Sequence, residues 1–392
     1  MRTCPSSALL LGALASVVAA SGCEKVIGAD FSAAHRAECT LVVPPSAPAV
    51  RGAGGAVSIV AAAYSLELGE AEPAAGQTPG YASIGYDLDG LCTAAGDPPR
   101  CAPPAWTHHP VLDGPGGRDN ALGAQIGSQR QFFGASVLHS ADINAATQRG
   151  SKAPLLVVEV LGYAGLAEDD EVEVRAYLPA TLPAGADGGI VAPKWDGTDA
   201  FPIFAESYEG GVVTDDAGVG DAAIDGGPPP GAPRWVDRHA YVTHYGLVAR
   251  FDPGPEISLL GVPLPTSHAL LTATMVPMAG AVPPQWELHD ALLAGVSPQQ
   301  GVLRFLPDVT EAIVGAHLCS GDPNYPQIKT YACSFADTSL GGGAACDGLS
   351  FGISFDLRRA RIGPTLTRVR PAPCRPGEDP GDDDCAIPAA GH

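Results

Sequence analysis

The stretch SFGISFDL, at residues 350–357, is the clearest indicator of fold class in this chain. Apolar side chains occupy every second position from Phe351 to Leu357, and the residues between them are polar or small. Because side chains alternate between the two faces of a β-strand, this pattern predicts a strand with one face in a core. The stretch EVEVRAYL, at residues 171–178, repeats the pattern with charged residues on the outward face.

Working outward from these two stretches, the chain carries many strand patterns and few helical ones. Further strands are predicted at 56–68, 81–86, 155–161, 241–251 and 286–292, and the continuous apolar run at 155–161 predicts a strand covered on both faces. Helices are predicted at 119–133, 142–149, 307–317 and 325–337, the third with Pro307 at its first position. The sequence therefore predicts a mainly β fold, a β-sandwich or jelly-roll-like body with a few short helices.

Composition and charge narrow the class further. The 392 residues include 49 glycines and 38 prolines, which favours strands joined by many turns over a helical bundle. The formal net charge of −21 excludes a sequence-independent nucleic-acid binder, because contact with phosphates needs a basic surface.

The N-terminus predicts export. Met1 and Arg2 give a positive start, and residues 8–20 (ALLLGALASVVAA) are uncharged and apolar. This run suits the hydrophobic region of a signal peptide and is too short to cross a bilayer. We expect residues 1–22 to be a signal peptide. The later sequence contains no apolar stretch long enough to predict a membrane span.

The residues that follow resemble the lipobox of bacterial lipoproteins. Ala20-Ser21-Gly22-Cys23 places small residues before a cysteine, and the resemblance implies that Cys23 is lipidated and anchors the chain to a membrane. Cleavage by an ordinary signal peptidase, releasing a soluble protein, is the alternative. Together with the segments Asp87-x-Asp89-Gly90-x-Cys92 and Gly116-Gly117-x-Asp119-Asn120-Ala121, the lipobox resembles uncharacterised lipoproteins of high-GC Gram-negative bacteria. That resemblance implies an outer-membrane lipoprotein, on its periplasmic or surface face, and transfers no activity.

The cysteines predict a disulfide-stapled body. If Cys4 leaves with the signal peptide and Cys23 is lipidated, eight of the ten cysteines remain, an even number in an exported protein. Proximity along the chain predicts the bridges Cys92–Cys101 and Cys374–Cys385. The pairing of Cys39, Cys319, Cys333 and Cys346 stays open, with Cys319–Cys333 as the first expectation.

The organisation along the chain follows from composition. Residues 23–55 are expected to form the lipidated N-terminus and a flexible tether. Residues 56–370 are expected to form a single mainly β body, interrupted by a disordered excursion near 209–233. Residues 371–392 are expected to form an acidic, proline-rich tail.

Two acidic loops are candidate calcium ligands. Asp87 and Asp89 stand in a tight turn, and Asp113, Asp119 and Asn120 stand in a glycine-rich loop. Calcium prefers several carboxylate and carbonyl oxygens together, so the two loops would form a site if the fold brings them together. Turn formation and helix capping are the alternative roles of these residues.

The sequence contains no G-x-S-x-G elbow, H-E-x-x-H helix, Walker A loop or G-x-G-x-x-G after a strand, which removes the enzyme classes with sharp motifs. A binding or structural module is favoured over an enzyme. The leading prediction is a membrane-anchored, exported lipoprotein. A calcium-assisted, lectin-like carbohydrate-binding domain and a hydrolase with an unrecognised site are the alternatives.

Overall fold

The structure, a computed structural model, describes residues 39–49, 54–71, 77–94, 97–104, 111–133, 138–213, 229, 231–281, 284–315, 317–368 and 374–385. The expected signal peptide, the lipidation candidate Cys23 and most of the expected excursion (214–228 and 230) lie outside these residues. The expectation of a mainly β chain is confirmed, with 35% strand against 17% helix.

The core of the fold is a closed antiparallel barrel. The strands are β1 (Val57–Glu67), β2 (Val157–Tyr163), β3 (Asp169–Tyr177), β4 (Ala200–Phe204), β5 (Trp235–Thr243), β6 (Gly246–Phe251), β7 (Ile257–Leu259), β8 (Val262–Leu264), β9 (Ser267–Pro277), β10 (Trp286–Pro298), β11 (Gly348–Arg359) and β12 (Arg361–Leu366). Eight of them form the ring β1-β2-β3-β5-β6-β9-β10-β11, in which each strand pairs with its neighbours in the sequence. The ring closes where β1 pairs with β11.

The expected sandwich is wrong, although the strands that suggested it are confirmed. A sandwich and a barrel both need strands with one buried face, so alternation at 171–178 and 350–357 does not separate them. The pairing of β1 with β11, the first and last strands of the ring, identifies the fold as a barrel. Ala61 lies opposite Arg359, and Leu66 lies opposite Phe355. One continuous ladder therefore replaces two packed sheets.

The interior of the barrel is filled by its own side chains. Val160, Val174, Leu247, Leu271 and Ile353, from five different strands, are all 0% exposed and belong to one apolar cluster. A barrel of this size has an interior just wide enough for side chains to fill. Any sizeable ligand site must therefore lie outside the barrel lumen.

The outer face of β2 is covered too, as the apolar run at 155–161 predicts. Val157 packs with Tyr177, Phe201 and Ile203 in a second apolar cluster outside the barrel. This cover comes from β4, which pairs in parallel with β12.

Four helices lie in the described part of the chain: α1 (Ala121–Phe133), α2 (Ser140–Gln148), α3 (Gln299–Val314) and α4 (Tyr325–Cys333). The expected start of the third helix is wrong, because α3 begins at Gln299 and Pro307 lies inside it. Pro307 donates no hydrogen bond to the carbonyl of residue 303. Burial of Val302, Phe305 and Val309, whose spacing continues through the proline, outweighs that loss.

The expected strand at 81–86 is also wrong. This segment contains a short 3₁₀ helix, Gly80–Ser83. The buried Asn120 amide donates to the carbonyls of Tyr81 and Ile84, both at 3.0 Å, and so satisfies groups that a strand would pair.

All eight expected cysteines are paired, but each expected bridge is wrong. The bridges are Cys39–Cys92, Cys101–Cys346, Cys319–Cys374 and Cys333–Cys385. Disulfides need Cα atoms within about 7 Å, and the fold rather than chain distance supplies that proximity. Four disulfides indicate an oxidising, exported environment.

Both ends of the described chain are held against the barrel. In the expected tether, Val42 donates from its backbone to Gly116 at 2.8 Å, and the carbonyl of Pro45 accepts from the Tyr241 hydroxyl at 2.6 Å. In the expected tail, residues 374–385 carry two of the disulfide cysteines. None of the described helices combines the length and apolar character that a bilayer crossing requires.

Candidate functional site

One end of the barrel carries a helical cap. The strand β10 ends at Pro298, opposite Gly348 at the start of β11, and β6 ends at Phe251, opposite Ala269 near the start of β9. These connections leave the barrel at the same end. The chain between β10 and β11 forms α3 and α4, and the chain between β6 and β9 forms the β7–β8 hairpin.

The cap encloses an apolar cavity of about 420 Å³, here called the cap cavity. Its walls come from α1, α3, α4, the β7–β8 hairpin and the start of β11. The lining residues are Leu122, Gln125, Ile126, Gln129, Leu138, Leu259, Leu264, Val302, Phe305, Leu306, Val309, Thr310, His317, Leu318, Asp322, Asn324, Ile328, Tyr331, Ala332 and Leu349. This volume lies within the range of about 300–1,000 Å³ that small-molecule sites occupy.

The polar groups deep in the cap cavity bond to the protein itself. The Gln125 amide donates to the carbonyls of Tyr331 and Ala332 at 3.3 Å, and the Tyr331 hydroxyl donates back to the carbonyl of Gln125. The Gln129 side-chain oxygen accepts from the backbone of Leu138 at 3.0 Å. The Gln125 bonds join α1 to α4, and the Gln129 bond joins α1 to the segment before α2. These side-chain groups are therefore already bonded within the protein, and the deep wall offers a ligand mainly apolar surface.

The solvent-reaching lining residues all lie at one side. Thr310, His317, Asp322 and Ile328 are partly exposed and Asn324 is exposed, whereas every other lining residue is buried. They come from the end of α3, the start of α4 and the loop between them. This side is the mouth of the cap cavity.

The C-terminal segment 374–385 holds the mouth in place. The bridges Cys319–Cys374 and Cys333–Cys385 fix it to both ends of the mouth region. The Lys329 ammonium, in a side chain only 8% exposed, lies 2.8 Å from the Asp383 carboxylate. Burial opposes the charge of Asp383, but hydrogen bonds from Lys329 and Tyr325 outweigh it and lower the pKa of that carboxyl.

A second candidate site forms where the two acidic loops meet, as the calcium hypothesis requires. Ligand oxygens of Asp87, Asp89 and Asp119 lie within 4.8 Å of one another. Asp113 and Asp337 lie with Asp89, Asp119 and the cationic Arg100 around an adjoining void of about 20 Å³, close to the space that a single water molecule needs. We call these five aspartates the acidic cluster.

Burial sets the protonation of the acidic cluster. Desolvation, with the nearby carboxylates as a further cause, raises the pKa of Asp119 and Asp113 well above the ordinary range. For Asp337, burial and the charge of Asp113 outweigh hydrogen bonds from Ser350 and raise the pKa to about 7. Burial also raises the pKa of Asp87. Without a cation, the cluster therefore tends to hold protons near neutral pH.

Asn120, the fifth predicted ligand, serves the fold. Its side-chain oxygen accepts from the backbone of Gly123 and Gly352, both at 2.9 Å, and its amide donates to three carbonyls. Asp337 takes part in the cluster although no sequence pattern pointed to it, because it lies more than two hundred residues from the two loops.

The hydrolase alternative gains no support from His289, the histidine that follows Trp286 in the chain. His289 lies on β10 with Nε2 3.3 Å from Glu287 and Nδ1 3.3 Å from Asp356. Both ring nitrogens face carboxylates, and His289 makes no hydrogen bond to a Ser, Thr or Cys side chain among the described residues.

Sequence reasoning missed the cap cavity. The signal was present in Val302, Phe305, Leu306 and Val309, which follow helical spacing through Pro307. A helix that starts at the proline cuts this apolar face in two. Comparison with known proteins adds no further assignment, since no family model, curated protein or solved structure matches the chain.

Proposed function

We propose that this chain is an exported lipoprotein, anchored to the outer membrane through Cys23, that binds a small apolar molecule in the cap cavity. The observation that carries the binding function is the cavity itself, about 420 Å³ with apolar walls. Four disulfides support the export that this role requires. The lipobox resemblance supports the anchor.

The barrel explains why binding falls to the cap. Side chains fill the lumen, so the helices and the β7–β8 hairpin supply the space that the barrel lacks. The two bridges at the mouth, Cys319–Cys374 and Cys333–Cys385, hold a site of this kind open, because they restrict collapse of the cap onto the empty cavity.

Binding is favoured over catalysis by the chemistry of the cavity walls. Deep polar groups such as Gln125 and Tyr331 are bonded to each other, which leaves them little capacity to attack or protonate a ligand. Among the described lining residues, the side chains best suited to general acid–base chemistry are His317 and Asp322, and both lie at the mouth rather than in the depth of the cavity.

The test is to fill the cavity and measure binding. We use the full chain with Cys23→Ser, so that no detergent competes, and titrate it with the neutral fluorescent probe N-phenyl-1-naphthylamine. Ala332→Leu, which adds bulk to a buried lining position, is expected to weaken probe binding tenfold or more. Val309→Phe, on the opposite helix, is a second filling variant.

Ala141→Leu is the matched control, because it makes the same change at an exposed position of α2. It should leave the probe affinity unchanged. Unaltered probe binding in both filling variants, with folding verified by thermal unfolding, would show that the probe binds elsewhere and overturn the proposal.

The calcium-assisted, carbohydrate-binding alternative stays a prediction. The acidic cluster supplies carboxylates, but the void and the adjoining pocket are lined by no Trp, Tyr or Phe among the described residues. Sugar sites commonly use an aromatic platform of that kind. Calorimetric titration of chelator-treated protein with calcium, followed by a glycan array with and without chelator, decides; no heat at millimolar calcium rejects it.

A further inference from the structure

Resting on the proposed binding function, we infer that the ligand of the cap cavity is a cationic amphiphile, with an apolar body in the cavity and an amine head at the mouth. The inference depends on two independent features of the cavity. The first is the position of the lining polar groups that have no hydrogen-bond partner within the described protein. The second is the sign of the charge around those groups.

The lining polar groups that have no hydrogen-bond partner within the described protein lie at the mouth, where they face solvent. One carboxylate oxygen of Asp322 accepts from the backbone of Asn324 at 2.7 Å, and the other has no hydrogen bond among the described residues. The Asn324 side chain likewise has no such partner in the described part of the chain. A ligand that fills the apolar depth therefore finds acceptors for a polar head only at this side.

The charge at the mouth is negative. Asp322 is the one carboxylate in the cavity lining. His317 lies beside two more, with Nδ1 3.1 Å from Glu311 and 4.0 Å from Asp308. Glu378 adds a fourth, since its carboxyl carbon would lie 3.0 Å from a side chain placed on Gly321.

Two cationic side chains of the cap face the C-terminal segment rather than the cavity. Lys329 is held by Asp383 at 2.8 Å, and the Arg304 guanidinium lies against Gly381 of the C-terminal segment. Among the described residues around the mouth, carboxylates therefore outnumber cationic groups. An ammonium is therefore favoured over a neutral head, and a carboxylate is disfavoured.

The experiment compares heads on one apolar body. Decylamine, 1-decanol and decanoate are titrated at pH 7, below micellar concentrations, against the full chain with Cys23→Ser by displacement of the naphthylamine probe. We expect decylamine to bind at least fivefold more tightly than decanol, and decanoate to bind most weakly. High salt should reduce the difference, because the mouth is open to solvent.

Asp322→Asn is the diagnostic variant, because the amide keeps the acceptor for Asn324 and removes the charge. It should reduce the amine preference while binding of decanol stays unchanged. Asp142→Asn, an equal change of net charge on the exposed face of α2, should leave the preference intact.

The possible outcomes separate the two proposals. Equal affinities, or tighter binding of decanoate, would overturn the inference and leave the apolar site standing. An amine preference that survives Asp322→Asn would also overturn it. Failure of the probe and of all three decyl compounds to bind would overturn the proposed function itself.

Discussion

Asp337 has a charge state that depends on the fold. Its pKa rises from the ordinary value of 3.8 to about 7, because burial and nearby carboxylates disfavour the charged form. The folded chain therefore holds protons that the unfolded chain has released. Cation-free protein should lose stability as the pH rises from about 4 through about 7, and Asp119, with its raised pKa, should extend that loss to higher pH. Chemical unfolding across this range measures the slope.

Asp119→Asn should remove part of that pH dependence. The amide imitates a protonated carboxyl and keeps an oxygen to accept from the backbone of Leu88. The variant should be more stable than the wild type at pH 8, by on the order of 2 kcal/mol, and differ little at pH 4. An equal effect at both pH values would mean that the gain is unrelated to ionisation.

Residue-level reasoning from sequence predicted much of the acidic cluster. Asp87, Asp89, Asp113 and Asp119 were chosen because they stand in flexible turns, and the structure brings those turns together. Asn120 was chosen for the same reason, yet both the oxygen and the nitrogen of its side-chain amide are hydrogen-bonded to backbone groups. Sequence spacing shows which side chains could serve as metal ligands. It does not show which of them are already hydrogen-bonded to backbone groups in the fold.

The disulfide Cys319–Cys374 near the mouth can be tested against a second disulfide of similar loop length, Cys39–Cys92. The bridges Cys319–Cys374 and Cys39–Cys92 close loops of almost equal length, with separations of 55 and 53 residues. Replacing either pair by serine should cost a similar amount of stability, about 2–4 kcal/mol. Only loss of Cys319–Cys374 should also weaken probe binding, because that bridge holds the mouth. Equal weakening by both would mean that the effect is global.

Element boundaries were predictable where the local pattern and the tertiary packing agree. The helix predicted at 119–133 and the strand predicted at 350–357 both form. The segment 81–86 does not form the strand that its local pattern favours, because Asn120 bonds to its backbone carbonyls. Pro307 lies inside a helix against its local preference, because burial of the apolar face of α3 offsets the lost hydrogen bond. In both cases the deciding partner lies far away in the sequence.

At the scale of the whole molecule, intact mass is the direct test of the anchor. Protein extracted from membranes should begin at Cys23, carry the added mass of its acyl chains and show the mass deficit of four disulfides. A soluble product cut at a different residue, or free thiols under denaturing conditions, would contradict the anchored, oxidised lipoprotein.

The mainly β fold class was predictable from the sequence, whereas the closure of the sheet into a barrel was not. Alternation at 171–178 and 350–357 shows that one face of each strand is buried, but carries no information about which strands are neighbours. The pairing of Ala61 with Arg359 is a contact between the two ends of the body, and no local pattern encodes it.

The β1–β11 pairing also determines when the ring can close as the chain is synthesised. The first strand has one permanent neighbour, β2, as soon as residue 163 is available, but its other neighbour, β11, is among the last segments to be made. Until then its amides on that side stay unmatched, and contacts this distant in sequence form slowly. A nascent chain cut short before residue 348 lacks β11 and therefore cannot close the ring.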